Sequence, residues 1–128
     1  MLKQFLKHYW KSIFVFCLIF YVTILHTPHI PRIFIFPHQD KWIHFIMFFS
    51  LTAVIYRDII RTQSAISKIV FLLLVLVLPI VYGGLIEILQ GAFIKNRTAD
   101  WLDFLANTAG ALFAFLPVHL FIYKNANS

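Results

Sequence analysis

Acidic residues are scarce in this sequence: five carboxylates stand against eleven lysines and arginines in 128 residues. Charged residues of both signs make up only 12% of the chain, and apolar residues 61%. A water-soluble domain of this length needs a polar surface that such a composition does not supply, so the apolar side chains must face lipid. The net charge of +6 is not a nucleic-acid footprint. The basic residues lie in short segments between apolar runs, not on one polar face, and no nucleic-acid partner is expected. The single cysteine, Cys17, rules out a disulfide within the chain, and it has no basic neighbour within a helical turn to activate it. Glycine-rich phosphate loops, serine elbows and Cys-x-x-Cys pairs are all missing.

What the chain does have is four apolar stretches, at about 9–25, 42–56, 69–90 and 101–123. A membrane-spanning helix needs roughly 20 residues, so the first two must borrow flanking residues. The pattern predicts an all-α membrane protein, a four-transmembrane-helix up-down bundle forming one domain over 1–128. The basic start, with Lys3, Lys7 and Lys11, is also compatible with a signal peptide. HTPHIP follows it in place of a small-x-small cleavage site, so the segment reads as a retained helix. Seven basic residues fall on the side of the N-terminus, the second connection and the tail. Four (Arg32, Lys41, Lys95, Arg97) fall on the other side. This bias puts both termini in the cytoplasm and the first and third connections outside. Pro28, Pro31 and Pro37 forbid a regular helix through the first connection. His26, His29 and His38 there lack the spacing of zinc ligands. Pro79, with Gly83 and Gly84, predicts a kink in the third helix.

The few acids are not scattered. Asp58 lies in the cytoplasmic connection beside Arg57 and Arg61. Asp40 opens the second helix, Glu87 closes the third, and Asp100 and Asp103 open the fourth. In an up-down bundle these three places share one end. Asp40 and His44 are four apart, Glu87 and Gln90 three apart, and Asp100, Asp103 and Asn107 form a single stripe. An ionised carboxylate at bilayer depth costs about 2.5–3.5 kcal/mol on insertion scales, so such residues persist where they pair, reach water or bind something polar. Ala106, Gly110 and Ala114 continue the Asp103 stripe and allow close helix approach.

DKWIHF at 40–45, EILQ at 87–90 and RTADWLDFLANTAG at 97–110 together resemble the VanZ-like family of small integral membrane proteins. The likeness runs from about Asp40 to Phe115. The family pattern maps onto Asp40, Lys41, His44, Glu87, Gln90, Arg97, Asp103, Ala106 and Asn107. Many relatives carry proline or glycine just before the arginine, where this chain has Lys95 and Asn96. The resemblance implies a helical fold in a bacterial plasma membrane and a polar site at its outer face. The family takes its name from a glycopeptide-antibiotic resistance determinant, which does not make this chain one.

Two functions compete at this level. In the first, the polar end is a site acting on the head group of a membrane lipid or a lipid-linked envelope precursor. His44, Asp40, Glu87 and Asp103 then carry the chemistry, with His44 as a base oriented by Asp40 or as a metal ligand. Arg97 and Lys41 hold a phosphate, the former through its planar fork, and Gln90, Asn107 and Asp100 complete the binding set. No metal is assigned, although Glu87 and Asp103 can take a divalent cation through oxygen. In the second, the same residues form a buried network that fixes helix register in a non-catalytic scaffold or binding protein. Gln90 and Asn107 are then interhelical hydrogen-bonders, and Arg97 is a salt bridge to Asp100 or Asp103.

Overall fold

The computed structural model describes residues 1–26, 35–62 and 65–126, with their side chains except at 26, 118 and 121–126. Pro28, His29, Pro31 and Arg32, and the side chains of His26 and Lys124, lie outside the described residues. No strand occurs among those described.

Helix α1 covers Leu2–Phe20 and passes into a π-helical turn at Tyr21–His26. It begins seven residues before the apolar stretch that marked it, because Lys3, Lys7 and Lys11 are good helix formers with no reason to break the ladder. Helix α2 runs Gln39–Arg61 and starts after His38, which turns the chain in the left-handed region at φ 58°. Helix α3, Lys68–Leu72, is capped by the Ser67 hydroxyl, which accepts the Val70 N–H at 3.3 Å. It continues through a π turn at Leu73–Val77 into α4, Leu78–Phe93. Helix α5 spans Trp101–Ala126 and contains Pro117. Every helix outruns its apolar core. Leu2–Leu25, Gln39–Arg61 and Lys68–Phe93, of 24, 23 and 26 residues, are long and apolar enough to cross a membrane.

The kink expected at Pro79 takes the form of the widened turn before it. Proline has no N–H to give the carbonyl of residue 75, and its ring crowds that carbonyl. Over Leu73–Val77 the bonds reach one residue further, and the Leu78 N–H bonds the Leu73 carbonyl.

Interhelical contacts fix the directions. Tyr9 meets Thr62 and Ser12 meets Asp58, so α1 and α2 run antiparallel. Tyr82 donates to the Phe16 carbonyl and Gln90 to the Thr23 carbonyl, so α4 runs with α1. Lys41 meets Asp103 and His44 meets Asn107, so α2 and α5 are parallel. The core holds Phe48, Leu51, Ile55, Tyr56, Tyr82, Ile86 and Phe115. At Gly110 the backbones approach closely: a Cβ there would fall on the Phe45 carbonyl oxygen and stand 3.0 Å from the Phe49 nitrogen. With no side chain there, α2 and α5 close to backbone contact just below the polar end.

Candidate functional site

The helix ends place the acids as their alternation implies. The start of α2, the end of α4 and the start of α5 meet at one end of the bundle. Asp100 begins this end by capping α5: its Oδ1 accepts the Leu102 N–H at 2.8 Å. Its Oδ2 accepts from Lys41 Nζ at 3.0 Å. Those two bonds, the backbone one first, hold its carboxyl below the usual carboxylate range. Lys41 Nζ also donates to Asp40 at 2.9 Å and to Asp103 Oδ1 at 2.9 Å. All three ammonium donors are thus used on carboxylates, which leaves none for a phosphate.

Beneath Lys41 lie three buried titratable groups: His44, Glu87 and Asp103, at 4%, 4% and 2% exposure. His44 Nδ1 lies 2.9 Å from Asn107 Oδ1 and 3.7 Å from Glu87 Oε1. Its Nε2 lies 3.7 Å from Asp103 Oδ2. An amide oxygen can only accept, so with the amide set this way Nδ1 carries the proton and Nε2 keeps its lone pair. Glu87 Oε2 accepts the Asp100 backbone N–H at 3.3 Å, while Oε1 is buried with no hydrogen-bond partner. Arg97 reaches in from the α4–α5 connection, with NH2 3.6 Å from Asp103 Oδ2 and the side chain partly exposed. Asn96 before it lies at φ 63°, a left-handed conformation that asparagine tolerates better than most non-glycine residues.

Besides the phosphate role expected of Lys41, two further sequence expectations need correction. Asp40 does not orient His44. Its carboxylate turns outward to Lys41 and is 54% exposed, because residue 40 lies in the first turn of α2, where water is the better partner. The orienting atom is Asn107 Oδ1, on another helix. Gln90 is not among the site's contacts either: its Nε2 donates to the Thr23 carbonyl at 3.1 Å, pinning α4 to α1. The wide turn at Tyr21–His26 offers that carbonyl to a side chain. His44, Glu87, Asp103, Arg97 and Asn107 do converge. The Asp100 backbone N–H joins them, and no residue type advertises it. Comparisons of the chain with family models, characterised proteins and solved structures gave no match.

Proposed function

We propose that the chain crosses a bacterial plasma membrane four times, with both termini cytoplasmic, and modifies the phosphate-bearing head group of a lipid or lipid-linked envelope precursor at the outer face. The observation that carries this reading is His44, an imidazole buried between two carboxylates and held by Asn107 with its Nε2 lone pair free. An imidazole so placed suits a base. Arg97, at the rim, binds the phosphate oxygens through its fork. His44 Nε2 takes the proton of a water attacking phosphorus. The ester P–O bond breaks, and the departing alkoxide takes that proton back from the imidazolium. Asp103 stabilises the imidazolium meanwhile. The VanZ-like resemblance rests on the same residues and belongs to this proposal.

A non-catalytic scaffold is the second reading. It is favoured by Lys41, whose bonds to Asp100 and Asp103 tie α2 to α5 and its cap while a third holds Asp40 on α2 itself. One experiment separates the two. His44→Ala, Asp103→Asn and Arg97→Ala are compared with the unaltered chain for membrane accumulation, and envelope lipids are extracted and read by mass spectrometry. A head-group species that depends on His44, in variants that still accumulate, supports the enzyme. Identical lipid profiles in every fraction overturn it, and loss of accumulation alone supports the scaffold.

A further inference from the structure

We infer that His44, Glu87 and Asp103 form a binding site for one divalent transition cation of the zinc type, open to a further ligand. One ring nitrogen of His44 and one carboxylate oxygen each from Glu87 and Asp103 lie within 4.8 Å of one another, all three residues being buried. Ligands about 2.0–2.2 Å from a tetrahedral zinc stand roughly 3.3–3.6 Å apart, so the set needs only a small inward closure. The donor set is one nitrogen and two oxygens from three helices. Three protein ligands with a vacant position is the arrangement of reactive zinc sites, while calcium and magnesium prefer all-oxygen shells.

The unused atoms point the same way. His44 Nδ1 is held by Asn107, Asp103 Oδ1 by Lys41, and Glu87 Oε2 by the Asp100 backbone N–H. Each ligand residue is therefore gripped at one atom; the other atom has no hydrogen bond, although Asp103 Oδ2 also faces Arg97 at 3.6 Å. That outer shell orients metal ligands in known sites. Glu87 Oε1 is the independent sign: a carboxylate oxygen of a buried residue, without a hydrogen-bond partner and 3.7 Å from Nδ1 of His44, the ring nitrogen that Asn107 holds. An orphaned acceptor there is costly unless something positive meets it. The charges agree. Four carboxyl groups (Asp40, Glu87, Asp100, Asp103) stand against two contacting cations (Lys41, Arg97), an acidic excess that suits a cation. The second acidic group, Asp40, Asp100 and Asp103, is already filled by Lys41 Nζ and takes no ion.

This site does not rest on the head-group reading, and it changes one role within it: with a cation on its free nitrogen His44 would be a ligand and not the base, and a cation-bound water of lowered pKa would be the nucleophile. The test uses the full-length, tag-free chain in lipid nanodiscs, stripped with chelator and titrated with Zn²⁺ and, as a spectroscopic probe, Co²⁺. Bound metal is counted by mass spectrometry. The expected result is one ion per chain, with Co²⁺ absorption bands of low coordination number. His44→Ala, Glu87→Gln and Asp103→Asn should each weaken binding at least tenfold, and Asp58→Asn should leave it unchanged. No ion retained by the unaltered chain, or equal binding by all variants, overturns the site. If a variant fails to fold, imidazole-nitrogen coupling to Cu²⁺ in the unaltered chain decides: its absence overturns the site. Lipid changes that depend on His44 but not on metal would overturn the cation site and leave the head-group reading standing.

Discussion

The two ends of the bundle each bury a carboxylate, and they treat it differently. At one end Asp58, 4% exposed, is a finished interaction: Oδ2 accepts the Ser12 hydroxyl at 2.7 Å and the Ser12 N–H at 3.2 Å. Tyr9 and Thr62 bond beside it. At the other end Glu87 keeps a bare buried oxygen, and Asn107 Nδ2, on the amide that holds His44, is also buried without a partner. A carboxylate serving the fold alone is satisfied within the fold. Unsatisfied polar atoms gathered round a histidine are what a site waiting for something polar would show.

Substitutions can break or sharpen that contrast. The largest effect is expected at Gly110, which lets the unsatisfied end form. Gly110→Ala puts a methyl on the Phe45 carbonyl, and overpacking of this kind costs about 1–3 kcal/mol or more. The expected outcome is a large drop in melting temperature in detergent, with little protein accumulating in membranes. Next comes Asp58→Asn. The amide oxygen can still accept from Ser12 but the charge is gone, which costs about 1 kcal/mol, the difference between charged and neutral hydrogen bonds, so thermal unfolding should shift downward while any head-group activity per folded molecule is kept. Glu87→Gln should do the opposite in metal-free protein. Removing a buried, partly unpaired carboxyl should raise stability by about 1 kcal/mol while abolishing any head-group activity. Equal destabilisation by Asp58→Asn and Glu87→Gln would erase the distinction between the ends. The smallest effect is expected of Gln90→Leu. It gives up one bond to Thr23 but also removes a buried orphan oxygen, so melting should move by less than about 1 kcal/mol, and the lipid profile should not change.

Much of this was legible in the sequence because it follows from period and alternation. Hydropathy located four helices, and the alternation of their ends brought Asp40, Glu87 and Asp103 together. The 3.6-residue period gave the stripe from Asp103 to Asn107. What could not be read was rotation between helices. Asp40 and His44 share a face of α2, yet the partner of His44 is set by how deeply α5 sinks at Gly110, and that favours Asn107. Gln90 sits one turn from Glu87 and looked like part of the same site. It faces α1 because the turn at Tyr21–His26 offers a carbonyl there, and such wide turns leave little mark on hydropathy. The apolar stretches begin later than α1 and α2 because lysine, glutamine and aspartate in a first turn lower hydropathy without discouraging helix.

The π turn ahead of Pro79 carries a consequence for how this chain can change over time. Such a turn holds one residue more than a regular helix of the same rise, and each residue of an α-helix advances the face by about 100°. Deleting a residue from Leu73–Val77 would relax the turn to regular helix without rotating α4, so Glu87 would go on facing His44. The same deletion anywhere in α4 between Pro79 and Glu87 would swing the carboxylate off the site. A homologue one residue shorter in this segment, with proline 79 also replaced, would keep the site intact. In this segment chain length can drift under neutral selection, whereas the stretch that follows is locked in length even where its residues vary.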